Sequence, residues 1–414
     1  MSENTYDVAI VGGGPTGLSA ATELKRMGVA RVVILERSAE AGGIPRHCGH
    51  PPFGLREFAR ILTGPAYAHR LVNTANEAGV TILTKHTVVG TGPGGILTVA
   101  SPDGILTLQA TIILIATGAR EATRAQLLVP GLRPSGVMNT AALQAFIYQE
   151  HRVPFRRPII VGSELVSLSA ILTCRSHGIR PVAMVESQPL PQARRSFFAM
   201  PYLLSVPLMT GTEILAIEGS PRVTSVHVRR QGGAETVLDC DGVILSGRFV
   251  AEAALAEASG LALDRGTGGP AIDQHGRSSD PHIFAAGNVV HPIETAGHCW
   301  AEGRRVARAI AAELKAPARA ERSEGRGRNV IAGKGLKYVV PQRLTAKGVG
   351  AAPALNLRAD GAARGRLVLS DASGTPLREM RIDAAPQQPI RFSLAGLDLA
   401  ADSNDLKLRL EPKA

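Results

Sequence analysis

The residues with the clearest chemical meaning lie at the N-terminus, where Gly12-Gly13-Gly14-Pro15-Thr16-Gly17 follows the apolar run Tyr6–Val11. The spacing is G-x-G-x-x-G. Gly12 permits a tight turn, Gly14 lets a diphosphate approach the backbone, and Gly17 lets a following helix pack on the strand. That helix, opened by Pro15, points its unpaired N–H groups and positive dipole end at the diphosphate. A second apolar run, Val32–Leu35, stops at Glu36, 19 residues after Gly17, where a carboxylate accepts hydrogen bonds from an adenosine ribose. Arg37 follows it and joins the binding candidates.

A second constellation repeats the layout with losses. Arg157–Val161 leads into Gly162-Ser163-Glu164-Leu165-Val166-Ser167, then a helix to about His177 and a strand, Pro181–Val185, ending at Glu186. Gly162 keeps the first glycine position, Glu164 stands at the second and Ser167 at the third. A carboxylate there repels a diphosphate, by about 4 kcal/mol for unit charges roughly 4 Å apart at an effective dielectric of about 20. Glu186 suits an NAD ribose better than an NADP phosphate, so NADH is favoured over NADPH if a nicotinamide binds. An empty domain or another adenine nucleotide are the alternatives.

These constellations require strands that end at their glycines and helices that begin there, so the expected class is α/β. Three further segments decide which dinucleotide: Gly42-Gly43-Ile44-Pro45 close after the second strand, the buried strand Ile112–Gly118 ending in Ala116-Thr117-Gly118, and Asp280–Asn288 with a helix from about Gly297. A chain that comes back to its first domain after some 150 residues is closing around a long cofactor; FAD is long enough to need this and NAD is not. The expected architecture is two Rossmann-like dinucleotide-binding domains, the second inserted in the first, plus a small C-terminal antiparallel β domain. The first occupies residues 1–122 and 275–315, the second 123–274, a linker 316–328 and the β domain 329–414. In that last part Ala354–Arg358, Arg366–Leu369, Ile390–Leu394 and Leu406–Leu410 alternate apolar and polar residues, with turn signals at Asp360-Gly361 and Ser373-Gly374.

Composition narrows the rest. The chain is 44% apolar with 45 Gly and 27 Pro, which fits many short βα turns and no disordered tail. No apolar run is long enough for a bilayer, and the chain runs directly into a strand without a leader, so a cytoplasmic protein is expected. Cys48, Cys174, Cys240 and Cys299 are scattered, with no CxxC pair, and the 11 histidines show no metal spacing. Net charge is +11, but aromatics are only 4% and none interrupts the basic stretch Arg319–Arg328, so nucleic acid is not expected as a partner. A basic surface can instead attract an acidic substrate or partner subunit.

Together, the Gly12/Gly14/Gly17 loop with Glu36, the Ala116-Thr117-Gly118 strand end and the Ala285-Ala286-Gly287-Asn288 turn resemble the pyridine nucleotide–disulfide oxidoreductase superfamily over about residues 5–315. Gly42–Phe53 and Ala116–Gln144 are more narrowly similar to FAD-binding α-type subunits of amino-acid, amine and opine dehydrogenases, and to NADH-oxidase-like subunits. The resemblance implies an FAD oxidoreductase, with NAD(H) as a second cofactor where the second domain accepts it. It passes electrons between a reduced small molecule or NADH and a further acceptor. A self-sufficient NADH-dependent reductase or oxidase, and an electron-transfer subunit with its substrate site elsewhere, are the alternatives. A dehydrogenase or electron-acceptor subunit is the implied partner.

For individual residues, the resemblance implies that Gly12, Gly14 and Gly17 cradle the FAD pyrophosphate and Glu36 binds the ribose. Val88 contacts the adenine through its backbone, Gly43 and Ala116–Gly118 line the cofactor, and Gly287-Asn288 reaches the ribityl chain or phosphate. The helix from Gly297 directs its positive end at the flavin pyrimidine edge, which stabilises reduced flavin. The family usually has Asp where this chain has Asn288; Asn loses the charge and adds donors. Arg46-His47-Cys48-Gly49-His50 lies where disulfide reductases carry a dithiol, but one cysteine cannot run that relay. Cys48 is then a candidate lone thiol, its thiolate favoured by Arg46 or a protonated histidine. His47 and His50 are candidate acid–base groups. The plainer reading is that these residues shape the pocket. His298 and Cys299 stand at the start of the flavin-facing helix, approaching the ring or merely packing.

Overall fold

The computed structural model describes residues 4–193, 197, 199–315, 327–345, 354–385, 388–397 and 405–412. Most of the expected linker, residues 316–326, lies outside them.

The first unit comprises β1 (Thr5–Val11), α1 (Pro15–Arg26), β2 (Val32–Glu36), the short α2 (Leu55–Phe58), α3 (Gly64–Glu77), β3 (Thr81–Thr84), β4 (Thr87–Gly92), β5 (Ile96–Ser101) and β6 (Gly104–Ile115). The order is β3-β2-β1-β6, all parallel, and the long β6 continues into an antiparallel meander with β5 and β4. Val8–Val11 and Val32–Glu36 are buried on both faces, which is why they read as continuous apolar runs rather than alternating ones.

The chain then forms β7 (Ala119–Glu121), β8 (Val137–Asn139), α4 (Thr140–Tyr148), β9 (Pro158–Val161), α5 (Leu165–Ser176), β10 (Ala183–Val185), α6 (Ala199–Leu203) and β11 (Leu208–Met209). An antiparallel trio follows, β12 (Thr212–Glu218), β13 (Ser225–Arg230) and β14 (Glu235–Asp239), and then β15 (Gly242–Leu245). Strands β11-β10-β9-β15-β8 make the second parallel sheet. The chain returns through β16 (Phe249–Ala251), which pairs with β7, so outgoing and incoming strands form one ribbon between the two sheets. Next come α7 (Ala254–Ala258), β17 (Ile283–Ala285), which joins β6 in parallel, and α8 (Ala296–Lys315). Leu255, Ala256, Leu261 and Ile272 pack into the first unit's core beside Ile113 and Ile115. We therefore place the return to the first domain some twenty residues before the expected 275. Periodicity cannot see this, because α7 is too short and the loop after it too irregular to show a repeat.

Helices α1, α3 and α8 cover one face of the first sheet, around Ile10, Leu18, Leu24, Ile34, Tyr67 and Val306. Beyond α8 the chain builds a sandwich from β18 (Arg328–Ala332), β19 (Leu336–Val340), β20 (Arg343–Leu344), β21 (Ala354–Ala359), β22 (Ala363–Ser370), β23 (Pro376–Ala384), β24 (Ile390–Ser393) and β25 (Leu406–Pro412). Its sheets run β20-β18-β25-β22-β23 and β19-β21-β24, closed on Leu355, Leu367, Phe392 and Leu408. The expected antiparallel pattern has one exception: β18 and β25 are parallel, with Val330 opposite Leu406. They are distant in sequence, so no hairpin fixes their relative direction. The sandwich docks on the first unit. Tyr338 and Val340 enter its core, and Gln274 donates through Nε2 to Thr345 Oγ1 at 2.7 Å.

Candidate functional site

At the first glycine loop the three glycines serve different physical ends. Gly12 has φ +110°, and a Cβ there would lie 2.4 Å from the Ala116 carbonyl oxygen. A Cβ on Gly17 would lie 2.0 Å from Gly12 O, so any side chain would push α1 off the strand. Gly14 is different. Its φ of −81° suits any residue, and the nearest atom to an added Cβ is Gly43 Cα at 3.9 Å. The missing side chain leaves open space beside the first turn of α1, which has Pro15 near its start and no side-chain cap. The loop thus offers a diphosphate free N–H groups and room to reach them.

Around this cradle, Gly42 donates its N–H to Gly13 O at 2.7 Å, laying Gly43 against Gly14. Glu36 is locked by the Gly13 and Ser38 N–H groups, each donating at 2.8 Å. Arg37 is exposed. Val88 is buried at a bulge in β4. Ala116 is buried, and Gly118 has φ +78° with nothing within 4 Å of an added Cβ. Thr117 turns away, donating Oγ1–H to Glu252 O at 2.7 Å.

Two glycines let α8 meet α1. A Cβ on Gly287 would lie 2.1 Å from Thr16 Oγ1, and one on Gly303 would lie 2.3 Å from Thr16 O. Gly297 lies in the first turn of α8 against Arg56 and Glu57. The start of α8 is therefore held beside the start of α1. The Asn288 amide is turned to the following loop: Nδ2 donates to Glu294 O at 3.1 Å, and Oδ1 accepts from Glu294 N at 2.9 Å. An aspartate could make only the second bond. This clasp accounts for asparagine at a position where the resemblance leads one to expect aspartate.

Further residues that the sequence does not single out hold this loop. Glu302 accepts from Gly287 N at 2.9 Å, His291 Nε2 at 3.0 Å and Arg305 at 3.2 Å. Burial alone would push its carboxyl up, but His291, Arg305 and the Gly287 N–H outweigh this and bring it down to about 2. Arg358, from the sandwich and 3% exposed, donates to Glu294 at 2.6 Å and to Tyr338 OH at 2.8 Å. The only sequence signal for Glu302 was its place on the 298-301-302-305 stripe of α8; nothing local marks Arg358.

The Cys48 cluster lies where the first unit meets α4 and α5. Ile44–His47 is a single 3₁₀ turn. Cys48 is buried, with its thiol 3.4 Å from Gln144 Oε1. Gln144 Nε2 donates to Ser169 Oγ at 2.8 Å, and Ser169 meets His50 Nε2 at 2.5 Å. The structure thus joins Cys48 and His50 through two side chains of the second unit. The expected thiolate is corrected: burial, with Glu121 nearby, pushes Cys48 up to about 12, so the group is a neutral thiol. The expected protonated histidine is corrected too, for His47: burial and then Arg46 press it down to about 4. His47 Nδ1 and Arg46 Nε are buried polar atoms with no hydrogen-bond partner among the described residues. Burial, then Glu302 and Glu294, also push Cys299 up to about 12, and His298 accepts or donates at 2.9 Å to Thr295.

The second loop copies the first in backbone. Gly162 has φ +106° and faces Ser246 O as Gly12 faces Ala116 O. Glu164 has φ −79°, ψ 173°, against −81°, −174° at Gly14. Glu186 accepts from Ser163 Oγ at 2.6 Å and from Gln188 N at 2.8 Å, the counterparts of Gly13 and Ser38 around Glu36. Glutamate at 164 therefore costs no backbone strain; it costs space. Its side chain crosses to Gly247, where an added Cβ would lie 2.4 Å from the Glu164 carboxyl carbon, and it accepts from Arg248 N at 2.9 Å. Where the first loop is open, the second holds a buried carboxylate.

Two dinucleotide-type sheets joined by a ribbon, with an open glycine cradle facing a returning helix, define a two-dinucleotide-domain oxidoreductase. The chain belongs to the pyridine nucleotide-disulphide oxidoreductase family, whose model matches residues 6–303. Members of this family bind FAD, and the open space at Gly14 and Gly118, the free N–H groups of α1 and the orphaned Arg46 and His47 atoms fit such a group.

Among its relatives, the NAD-dependent dihydropyrimidine dehydrogenase subunit PreT of Salmonella typhimurium is 28% identical over 75% of this chain and 68% of its own length. An opine oxidase subunit of Rhizobium meliloti is 26% identical over 68% of this chain and 58% of itself. The alpha subunit of sarcosine oxidase from the same organism is 25% identical over 75% of this chain, but only 31% of that longer protein is matched. Among solved structures, T. acidophilum thioredoxin reductase superposes with a TM-score of 0.63 at 22% identity, covering 75% of this chain and 99% of that one. No helix among the described residues is long and apolar enough to cross a membrane.

Proposed function

We propose that this chain is the FAD-holding subunit of a dehydrogenase, taking electrons from a reduced small molecule such as an amino acid, amine or hydroxy compound and passing them to an acceptor on another chain. The observation that carries this reading is the Glu164 carboxylate lying on Gly247, in the groove where a nicotinamide dinucleotide would set its diphosphate. When bound, FAD supplies two-electron redox chemistry; this chain's residues fix its position. The α1 N-terminus and the Gly12–Gly17 loop hold the diphosphate, Glu36 the ribose, and the paired starts of α1 and α8 favour negative charge on the bound group. His47, neutral and with Nδ1 unengaged, is the candidate to take a proton at that atom. Cys48 and His50 hold the loop against α4 and α5.

The relatives named as subunits support a partner chain, and the opine and sarcosine oxidases among them support an amine or amino-acid donor. Four free, buried cysteines suit the reducing cytoplasm. A second reading, direct reduction by NADH, has its own observation in the Glu186 contacts that duplicate those of Glu36. An anaerobic titration of the full chain carrying FAD decides between them. Bleaching by an amine, amino acid or hydroxy acid, and not by NADH, is the expected result; rapid bleaching by NADH alone establishes the second reading.

A further inference from the structure

None of the Gly12–Gly17 residues lines the cleft beside the face of α8 turned to the sandwich. Cys299, Gly303 and Val306 pack toward the core, while His298, Ala301, Glu302 and Arg305 form the adjoining stripe at i, i+3, i+4, i+7. That stripe is one wall of a cleft of about 420 Å³, within the range of small-molecule sites. Arg56 from α2 adds to this wall, and Asn356, Ile390 and Arg391 from the sandwich form the facing one. Val340, Pro341, Pro389 and Ile272 add apolar lining.

The charges decide what fits. Each carboxylate in the cleft is already engaged. Glu302 is held by His291, Arg305 and Gly287 N, Glu294 by the buried Arg358 at 2.6 Å, and Asp273 by the His275 and Arg277 N–H groups. Two guanidinium groups are not so engaged. Arg56 reaches only Gly297 O and His298 Nε2, both at 3.4 Å, and forms no ion pair among the described residues. Arg391 likewise forms none there and is exposed on β24. One belongs to the first unit and the other to the sandwich. Guanidinium forks match carboxylates bidentately.

We propose that this cleft is a binding site for a small organic dicarboxylate, one carboxylate held by Arg56 and the other by Arg391, with its carbon chain on the apolar lining. The inference rests on the cleft and its charges and is independent of the redox assignment, so its test reads heat rather than flavin colour.

Isothermal titration of the full chain with succinate, glutarate and adipate, against butyrate and inorganic phosphate, tests it. Saturable binding of at least one dicarboxylate is expected, at least about tenfold tighter than butyrate or phosphate. Arg391→Gln and Arg56→Gln should each weaken it by about tenfold or more, and the double variant should abolish it. Arg391 is an exposed strand residue, so its variant keeps the fold, which an unchanged melting temperature without ligand confirms. The proposal is overturned by no binding of any dicarboxylate up to about 10 mM, by phosphate binding as tightly as the dicarboxylates, or by affinities unchanged in both single variants.

Discussion

Replacing Glu164 with glycine should convert the second domain into one that accepts NADH. The backbone is ready, since φ and ψ at Glu164 match those at Gly14 within about fifteen degrees. What the substitution removes is a buried carboxylate on Gly247 and the volume it fills. A diphosphate roughly 4 Å from that charge would be repelled by about 4 kcal/mol at an effective dielectric of about 20. At about 1.4 kcal/mol per factor of ten, the variant should bind NADH nearly a thousandfold more tightly. The cost to the fold is small: one acceptor for Arg248 N, about 1 kcal/mol, and a glycine in place of a capping residue, a few tenths. Glu164→Gln keeps most of the shape and removes the charge, so it should fall between the two. The assay is anaerobic stopped-flow reduction by NADH with the dissociation constant taken from the concentration dependence. If the unaltered chain is reduced at micromolar NADH as readily as the glycine variant, the blocking argument is wrong.

Other expectations follow from the same geometry. Gly17→Ala places a Cβ 2.0 Å from Gly12 O; it should abolish FAD retention on gel filtration and lower the denaturant midpoint by the equivalent of about 3 kcal/mol or more. Glu302, held at about 2 against an ordinary 4.5, binds fewer protons folded than unfolded near pH 4. It should therefore contribute about 3 kcal/mol that is present above pH 4.5 and lost as pH falls toward 2. Urea melts from pH 7 to pH 3 should show this extra acid sensitivity in the native chain and not in Glu302→Gln. Arg358→Met removes the buried cation from half-buried Glu294 and should cost about 3 kcal/mol by denaturant midpoint; a change under about 0.5 kcal/mol would show that the sandwich is not keyed to this loop. Cys48, a thiol with its pKa near 12, should react with iodoacetamide at pH 8 far more slowly than a free cysteine, as followed by peptide mass.

Read alone, the sequence determined the features that depend on local geometry. The Gly12–Gly17 loop, Glu36, the strand end at Ala116–Gly118 and the helix opening near Gly297 are legible because turn, strand and helix each need particular residues at particular spacings. Four strands of the sandwich were visible from period-two alternation, while β18, β19, β20 and β23 were missed, β20 because it has only two residues. Tertiary structure decided what depends on approach between distant segments. That Glu164 fills the second groove rather than pointing into solvent is set by Gly247, 83 positions later. The neutral states of Cys48 and His47 follow from burial against α4, which no spacing reports. The Arg358–Glu294 pair spans two folding units, and Arg56 and Arg391 line one cleft only because the sandwich docks on α8. Charge and space at a site are sums over everything packed around it, and those neighbours come from across the chain.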